Sequence, residues 1–520
     1  MVIASRRNYL FVGESIDPND WQPGVTADQI YRRVLDGVHN EYGHIILLHD
    51  AGGSTRKPTV TALPRIIETL QREGYQFISL EQYLGMNRQT LMPPVKKGKE
   101  YYAMQANLSL AELIYHVSDF LTALFLVFLV LGFLRLVFMY ILMIREKRAE
   151  NRRSYAPIDA ETAPAVSVIV PAYNEEVNIV RTIDNLKQQD YPALHIYLVD
   201  DGSKDHTLGK VMEKFSNDGK VTVLAKKNGG KASALNYGIA ACKTDFVVCV
   251  DADTQLQADA VSRLMKHFIA DEAGRVGAVA GNVKVGNQRN MLTYWQAIEY
   301  TTSQNFDRMA YSNINAVTVV PGAIGAFRKK ALEEVGGFTT DTLAEDCDLT
   351  MSINEHGYVI ENENYAVAMT EAPETVRQFV KQRIRWSFGV MQTFWKHRSS
   401  LFARSKAGFG LWAMPNMLIF QYIIPTFSPL ADILMLLGLF TGNAWQIFLY
   451  YLLFLLVDAS VSIMAYIFEH ERLWVLLWII PQRFFYRWIM YYVLFKSYLK
   501  AIKGELQTWG VLKRTGNVEA

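Results

Sequence analysis

Apolar residues in this chain occur in long blocks and in short runs, and the two patterns predict different structures. Phe120–Ile144 and Ala444–Phe468 are apolar blocks with a single charged residue each. Both reach the roughly 20 residues that an α-helix needs to cross a bilayer. Two further apolar blocks, Trp412–Phe440 and Leu473–Phe495, are interrupted by prolines or arginines. Together the blocks predict a multi-span α-helical protein of the plasma membrane, with the lipid bilayer as a partner.

Short apolar runs alternate with helical stretches from Ala165 onward. A helix is predicted from about Val177 to Gln188. The runs that predict strands are Val166–Val170, His195–Val199, Val221–Ala225, Phe246–Val250, Val276–Gly281 and Val317–Val320. Strands separated by helices form a mostly parallel sheet, which binds ligands beyond the carboxyl ends of its strands. We therefore expect an α/β domain with a ligand site at that edge of the sheet.

Charge placement gives the expected orientation in the membrane. Five basic residues directly follow the first apolar block: Arg145, Lys147, Arg148, Arg152 and Arg153. By the positive-inside rule this end lies in the cytosol, so residues 1–118 lie outside it. The net charge of +2 indicates no partner class. Because no basic patch is interleaved with aromatic residues, we expect no nucleic-acid partner.

The same rule favours a cytosolic tail, because lysines and an arginine follow the last apolar block. The later blocks then cross the membrane an even number of times, but the sequence does not identify the block that stays on one side. Arg135, inside the first block, has two interpretations. It pairs with a carboxylate elsewhere, or it extends to the cytosolic interface.

Acidic motifs follow two of the predicted strands. A carboxylate at the end of the second strand can accept the ring N–H of uracil, and either Asp200 or Asp201 suits this role. Further along, Asp251 and Asp253 alternate in an extended turn, and their hard oxygens suit Mg²⁺ or Mn²⁺ bridging two phosphates, with Asp253 as the expected ligand. Such a metal stabilises a departing nucleoside diphosphate. Lys231, directly after two glycines, can meet a phosphate or the uracil ring.

Two later motifs suit the acceptor side of a transfer reaction. Glu345 and Asp346 are adjacent, and one of them can act as general base toward an acceptor hydroxyl. Gln382 and Trp386 share a helix face at a spacing of four residues, with Arg385 beside them. Arginine can bind a diphosphate with two hydrogen bonds, and tryptophan offers a flat face to a sugar ring.

Each motif alone also has an ordinary structural interpretation. The Asp-Asp-Gly-Ser motif is typical of a tight turn, and adjacent acidic residues favour a helix N-terminus. The segment Gln382–Trp386 is compatible with an amphipathic helix on a membrane surface. The order and spacing of all the motifs together favour the functional interpretation.

These motifs resemble those of the processive, inverting family-two glycosyltransferases, which include cellulose, chitin, hyaluronan and poly-N-acetylglucosamine synthases. The resemblance covers about Ala165 to the C-terminus. It implies a GT-A (Rossmann-like) cytosolic catalytic domain, Mg²⁺ or Mn²⁺, a UDP-sugar donor and a growing polysaccharide acceptor, with Asp346 as the catalytic base. The substrate-binding residues expected from it are Pro171, Tyr173, Glu175, Asp200, Asp201, Lys231, Asp251, Glu345, Gln382, Arg385 and Trp386. Accessory export subunits are compatible with it.

The N-terminal part resembles a NodB-type polysaccharide deacetylase. Asp17–Trp21 and Ile46–Asp50 are similar to that domain's late motifs, and Pro64–Gly85 to its last helix and strand. The early acidic motif and the His-x-x-x-His motif that bind its metal do not occur upstream. We therefore expect a partial (β/α) barrel fragment without deacetylase activity, either a remnant or a piece of a domain that begins further upstream. Its presence beside a synthase favours an N-acetylated polymer and UDP-N-acetylglucosamine.

The expected product is an N-acetylglucosamine-type polysaccharide that is polymerised and exported. A single-transfer lipid-linked glycosyltransferase, a UDP-glucose-using cellulose-like synthase and a catalytically silent membrane scaffold are the alternatives. The predicted segments are residues 1–90 (deacetylase-like), 91–118 (linker), 119–144 (transmembrane helix), 145–164 (basic linker), 165–370 (glycosyltransferase), 371–410 (interfacial helices), 411–497 (transmembrane region) and 498–520 (cytosolic tail).

Overall fold

A computed structural model gives the fold of the chain. It describes residues 12–50, 55–91, 97–150, 152–153, 155–438, 444–503, 516 and 518. The predicted cytosolic tail therefore lies largely outside the described residues. The chain divides into two compact units, Met1–Leu121 and Thr122–Ala520.

The helices, numbered along the chain, are α1 Ala27–His39, α2 Lys57–Arg72, α3 Leu80–Leu84, α4 Arg88–Leu91, α5 Lys99–Glu150, α6 Ile179–Lys187, α7 Thr207–Phe215, α8 Lys231–Ala241, α9 Ala260–Ile269, α10 Met291–Glu299, α11 Phe306–Ser312, α12 Lys329–Glu334, α13 Glu345–Glu355, α14 Val376–Lys396, α15 Met414–Asn416, α16 Ile424–Gly438, α17 Ala444–Phe468 and α18 Ile479–Lys503. The strands are β1 Val166–Ala172, β2 Leu194–Asp200, β3 Val221–Ala225, β4 Phe246–Cys249, β5 Gln255–Leu256, β6 Val276–Val285, β7 Gly325–Arg328 and β8 Val359–Thr370.

The first unit is a small helical pair beside one strand contact. Helices α1 and α2 pack through a core formed by Ile30, Val34, Ala62, Ile66 and Leu70. Among the described residues of this unit, the only β-contact is a parallel bridge between Ile16 and Ile46. The strand expected within Pro64–Gly85 is not formed, because residues 75–79 have no regular secondary structure. The described part of this unit therefore contains no barrel.

The two motifs of the first unit nevertheless meet. Buried Asp20 accepts hydrogen bonds from the backbone N–H of His49 at 2.9 Å and from Thr59 Oγ1 at 2.9 Å, and its Oδ1 lies 2.7 Å from His49 Nδ1. Burial raises the pKa of Asp20, but these hydrogen bonds outweigh burial and hold it below its ordinary value. The carboxylate therefore fixes the orientation of the imidazole.

The second unit is built on an eight-stranded sheet with the order β3-β2-β1-β4-β7-β6-β8-β5. Strands β3, β2, β1 and β4 are mutually parallel, whereas β7 is antiparallel to both of its neighbours. Val166, Val168 and Val170 face one core, and Ile169 faces the other, because successive side chains of a strand alternate between the two faces. Burial on both faces explains why β1 is almost continuously apolar.

Two predictions fail in the second half of this sheet, one strand and the mostly parallel arrangement. Val317–Val320 is wrong as a strand, because the segment is irregular and Val320 donates its N–H to Thr350 Oγ1 at 2.8 Å. The neighbouring sheet position is filled by β7, which pairs antiparallel with β4 and β6. The sheet is therefore mixed rather than mostly parallel.

Two helices in the described part of the chain are long and apolar enough to cross a membrane: Tyr101–Glu150, of 50 residues, and Arg404–Ile433, of 30 residues. The second run contains wide π-helical turns at Ala407–Ala413 and Met417–Ile423. Pro415 and Pro425 lie in or next to these turns, where missing N–H groups disturb a regular α-helix.

Arg135 in α5 forms an ion pair rather than standing alone. Its guanidinium donates to Asp307 Oδ2 at 2.7 Å and to Asn416 Oδ1 at 2.9 Å. Of the two interpretations of Arg135, the structure favours the pairing with a carboxylate. The pair joins the apolar helix α5 to α11, which follows the sheet strand β6.

A buried histidine links helix α9 to strand β8 and makes stability depend on pH. His267 contacts Glu361 through Nδ1 and Glu363 through Nε2, the latter at 2.9 Å. Burial lowers the pKa of His267, but hydrogen bonds to these carboxylates outweigh burial and raise it to about 9. The imidazolium contribution is therefore complete below pH 6.5 and is lost as pH rises through about 9.

We expect His267→Gln to lower the free energy of unfolding by up to about 3 kcal/mol at pH 6.5, with the difference shrinking toward pH 10. Thermal unfolding of the detergent-solubilised protein across this pH range measures the effect. His206→Gln, at an exposed histidine, is the control and should follow the wild type. A destabilisation of H267Q that does not vary with pH would contradict the assignment of a charged imidazole.

Candidate active site

Parallel strands bring three motif-bearing turns to one edge of the sheet. Strands β1, β2 and β4 are parallel neighbours, so their carboxyl ends lie together. The turns after β1 and β2 are also tied to each other. Asn174 donates its N–H to Ser203 Oγ at 3.0 Å, and its Oδ1 accepts the N–H of Lys204 at 2.8 Å. Asn174 has a positive φ of 58°, which asparagine tolerates better than most residues.

The two carboxylates at the end of β2 have different surroundings. Asp201 accepts hydrogen bonds from Lys226 Nζ at 2.6 Å, from Gly230 N–H at 2.7 Å and from Gly229 N–H at 3.0 Å. Asp200 accepts one from Ser203 N–H at 3.2 Å, and its buried Oδ1 has no hydrogen-bond partner among the described residues. Asp201 thus holds the glycine loop in place, whereas Asp200 keeps an unused acceptor that costs free energy until it is satisfied.

Lys231, the first residue of α8, joins two acidic motifs. Its Nζ lies 2.5 Å from Asp251 Oδ1 and 3.5 Å from Glu345 Oε1. Burial lowers the pKa of Lys231, but Asp251 and Glu345 outweigh burial and raise it. Gly322 permits this arrangement, because a Cβ at that position would lie 2.5 Å from Lys231 Nζ. Asp251 and Glu345 lie far apart in the sequence, and the fold brings both to the ammonium group of Lys231.

The predicted base lies at the start of α13. Glu345 and Asp346 occupy the first turn of this helix, where the macrodipole favours negative charge. Asp346 Oδ1 accepts the N–H of Cys347 at 2.8 Å. Burial raises the pKa of Glu345, and Lys231 opposes that rise. Both side chains line the cavity described below, and Glu345 is the one that forms an ion pair with Lys231.

Helix α13 is fixed to α14 by a buried charge cluster. Asp348, which is fully buried, lies 3.0 Å from His397 Nε2 and 2.9 Å from Lys396 Nζ. The other ring nitrogen of His397 lies 2.8 Å from Glu355 Oε2. Burial lowers the pKa of His397, but Asp348 and Glu355 raise it to about 9. This cluster sets the position of the predicted base relative to the helix that carries Gln382–Trp386.

One cavity of about 580 Å³ collects most of the predicted site residues. Those that line it are Lys231, Asp251, Asp253, Glu345, Asp346, Gln382, Arg385 and Trp386. Pro171, Tyr173, Glu175, Asp200 and Asp201 do not line it and stay at the carboxyl edge of β1 and β2. The roles assigned to these residues from the sequence remain predictions.

Other residues at the cavity were not identified as site residues from the sequence. They include Arg308, Gly322, Glu371 and Arg383. The segment containing Gly322 was missed because the preceding residues were interpreted as a strand. Its Pro321-Gly322 pair, typical of a turn, is the signal that points to a loop there. Arg383 stands inside the Gln382–Trp386 motif but was given no role.

The residues present fit a divalent cation only if a ligand supplies further oxygens. No group of three or more His, Cys, Asp or Glu side chains suited to a metal occurs among the described residues. Asp251 and Asp253 provide hard oxygens at the cavity wall. Mg²⁺ is commonly held by one or two carboxylates together with substrate phosphates, so the donor set suits a metal that arrives with a nucleoside diphosphate.

Part of the chain matches a known protein family. Residues 164–389 match the family described as "Glycosyltransferase like family 2". This range covers the sheet strands, the acidic motifs and the segment Gln382–Trp386. Residues 164–389 therefore form a glycosyltransferase domain similar to those of family 2, built on a mixed sheet.

Curated relatives include a poly-beta-1,6-N-acetyl-D-glucosamine synthase of Staphylococcus epidermidis, 30% identical over 260 residues. The synthase of the same name from Staphylococcus aureus strain COL is 32% identical over 232 residues. The alignments cover 49% and 45% of this chain, and 62% and 56% of the relatives' own lengths.

A solved structure is also similar: a mannosyltransferase from Pyrobaculum calidifontis in complex with GDP-Man and Mn²⁺, with 24% sequence identity and a TM-score of 0.49. The match covers 71% of this chain and 96% of that one.

The contrast between Asp200 and Asp201 gives a direct test. We expect Asp201→Asn to lower the free energy of unfolding by about 1–3 kcal/mol, because it weakens three hydrogen bonds to a buried carboxylate. Asp200→Asn should leave stability nearly unchanged and should reduce the rise in unfolding temperature caused by UDP with Mn²⁺. Thermal unfolding with and without UDP measures both effects. Equal loss of stability in the two variants would contradict the different roles.

Proposed function

We propose that this chain is a membrane-bound, inverting, processive β-glycosyltransferase that polymerises an N-acetylglucosamine-type polysaccharide from UDP-N-acetylglucosamine and exports it. The observation that carries the proposal is the single cavity that joins the acidic motifs to Gln382–Trp386 and continues to residues of the membrane-side helices. Its far wall includes Tyr422, Pro425 and Leu494. A polymer needs such a continuous path, because each added sugar must leave the transfer site without release.

The donor occupies the edge of the sheet in this proposal. Asp200 accepts the ring N–H of uracil, since its Oδ1 has no hydrogen-bond partner among the described residues. Lys231 lies next to Asp251, where the diphosphate would approach the acidic turn. The ammonium group of Lys231 then balances charge on the leaving UDP. Arg385, also at the cavity, can bind a phosphate oxygen.

Asp346 acts as the general base. The acceptor hydroxyl oxygen attacks the anomeric carbon as the bond to the UDP oxygen breaks, and the hydroxyl proton passes to Asp346. Attack opposite the leaving group inverts the configuration, which converts an α-linked donor into a β-linked product. Glu345 is less suited to this role, because Lys231 engages it 3.5 Å away.

A divalent cation, Mg²⁺ or Mn²⁺, would be held by Asp253, with Asp251 nearby. When bound, it supplies Lewis-acid stabilisation of the departing diphosphate. Trp386 offers its ring face to the sugar next to the transferred one, and Gln382 lies on the same helix face.

The choice of sugar rests on two supports. The staphylococcal relatives are named for poly-β-1,6-N-acetyl-D-glucosamine. The N-terminal unit joins Asp20 to His49, the two motifs that resemble a deacetylase of N-acetylated polymers. We propose that this unit is a deacetylase-like segment without activity of its own; release of acetate from an N-acetylated oligosaccharide would contradict that.

For the membrane region we propose three crossings, by the apolar part of α5, by the run Arg404–Gly438 and by α17. Helix α18 then lies on the cytosolic surface. Near its start, Gln482 donates to the carbonyl of Trp295 at 3.2 Å. Near its end, the Tyr498 hydroxyl lies 2.9 Å from Thr426 Oγ1. Thr426 is one helical turn after Tyr422, and Tyr422 donates a hydrogen bond to the carbonyl of Ser387. Both ends therefore stay close to helices of the catalytic unit.

The outer face of α18 suits a membrane surface. Exposed apolar side chains recur at helical spacing along its length: Ile480, Phe484, Trp488, Tyr492, Phe495 and Leu499. Lysines lie beside this stripe, which is typical of an amphipathic helix in the lipid headgroup region. An even number of crossings after the catalytic domain also leaves the tail in the cytosol.

The proposed reaction predicts polymer from one donor. Membranes containing the protein, with Mn²⁺ and labelled UDP-N-acetylglucosamine, should yield high-molecular-weight product that a β-hexosaminidase degrades. Asp346→Asn should lower the rate by about 100-fold or more, because it removes the base. Its matched control is Asp341→Asn, an exposed carboxylate that lies beside Lys396.

Polymer from UDP-glucose alone would overturn the sugar but not the mechanism. Short lipid-soluble product would indicate a single-transfer enzyme. No product, together with no binding of UDP, would indicate a silent scaffold.

The proposed topology predicts which introduced cysteines react from outside the cell. The native Cys242, Cys249 and Cys347 are buried, so they contribute little background. In intact cells a membrane-impermeant maleimide should label Tyr102→Cys and Trp445→Cys, and should not label His470→Cys or Lys503→Cys. All of these positions are exposed. Labelling of Lys503→Cys but not His470→Cys would show that α18 crosses the membrane.

A further inference from the structure

Arg383 lies at the centre of a buried cluster in the wall of the cavity. Its guanidinium carbon sits 4.2 Å from the centroid of the Trp386 ring and 4.8 Å from that of Phe379. The side chain is 2% exposed. A planar cation stacked on an indole face restricts the tilt of that ring, because displacement of the ring loses the cation–π contact.

Glu299 holds the guanidinium from a different helix. Arg383 donates through NH2 to Glu299 Oε2 at 2.7 Å, and Tyr486 of α18 also donates to this carboxylate. Burial lowers the pKa of Arg383, but Glu299 outweighs burial and raises it, so the guanidinium stays charged. Three helices, α10, α14 and α18, therefore meet at one ion pair.

The neighbouring residue Tyr300 completes the support of the ring. Its ring centroid lies 6.3 Å from that of Trp386, and Arg383 lies 5.8 Å from the Tyr300 ring. The Arg383 guanidinium thus contacts the Trp386 ring, and the ring of Tyr300, the residue after Glu299, lies beside it. Trp386 also lines the cavity.

We propose that Arg383 is a positioning residue for chain elongation: held by Glu299, it sets the orientation of Trp386 and thereby the alignment of the acceptor sugar. This inference rests on the proposed function. It assigns Arg383 no contact with substrate and no part in proton transfer. The residue acts through Trp386, so its loss should affect acceptor use more than donor binding.

Arg328 offers a matched control in the same unit. It pairs with Asp271 at 2.9 Å and lies 5.3 Å and 5.8 Å from the rings of Phe246 and Phe268. It does not line the cavity. Arg328→Met therefore removes an arginine that also has a carboxylate and two aromatic rings as partners but lies away from the site. It measures how much activity is lost when such a cluster is disrupted elsewhere in the unit.

The test compares elongation of a short β-linked N-acetylglucosamine oligomer by wild type, Arg383→Met and Arg328→Met. Arg383→Met should lower kcat/KM for the oligomer by about 10- to 30-fold, with the KM for UDP-N-acetylglucosamine changed by less than about twofold. Arg383→Lys, which keeps the charge but not the planar stack, should fall between wild type and Arg383→Met. Arg328→Met should resemble the wild type.

A double-mutant cycle separates positioning from general structural support. In a Trp386→Ala background, Arg383→Met should lower kcat/KM for the oligomer by less than about threefold, because the ring to be oriented is absent. Equal losses from Arg383→Met in the two backgrounds, or equal losses in Arg383→Met and Arg328→Met, would overturn the inference.

A second readout does not depend on the proposed reaction. In protein labelled with 5-fluorotryptophan, the Trp386 ¹⁹F resonance is assigned by its loss in Trp386→Phe. It should broaden or split in Arg383→Met and stay a single line in Arg328→Met. A single sharp Trp386 line in Arg383→Met would overturn the inference even if no polymer forms. Absence of polymer from the wild type would instead count against the proposed function alone.

Discussion

The contact of Lys231 with two carboxylates is the interaction on which the site depends. Asp251 follows β4 and Glu345 begins α13, so the two acidic groups belong to separate parts of the fold. Buried carboxylates close together repel each other unless a cation lies between them. Lys231 provides that cation, and Gly322 leaves the space for it. The carboxyl edge of the sheet and helix α13 are therefore held at a fixed separation by one ammonium group.

The first half of the sheet was predictable because its strands are short, mostly apolar runs, with β1 and β4 buried almost throughout. The observed bounds of β1 to β4 differ from the prediction by at most two residues at either end. Strand β8 was not predicted, because Glu361 and Glu363 interrupt its apolar pattern. Their charges are compensated by His267, which lies about 95 residues earlier in the chain. Compensation from so far away leaves no signal in a local window of sequence.

The same distinction applies to the site. Gln382, Arg385 and Trp386 were predictable as a group because one helix presents them at fixed spacing. The different surroundings of Asp200 and Asp201 could not be predicted, because they follow from the path of the glycine loop after β3. Glu299 supports Trp386 through Arg383, and this arrangement depends on packing between helices that are remote in sequence. Motifs thus predicted the candidate site residues, and tertiary structure shows the contacts that orient them.

The ion pair of Arg135 with Asp307 has a consequence for how the protein is made. The two residues are 172 positions apart, and the arginine leaves the ribosome first. At synthesis rates of roughly 5–20 residues per second, Asp307 follows about 9 to 34 seconds later. If α5 crosses the bilayer as proposed, its arginine lacks its final partner throughout that interval. In the proposed topology, electrostatic compensation of Arg135 therefore waits until α11 has been synthesised.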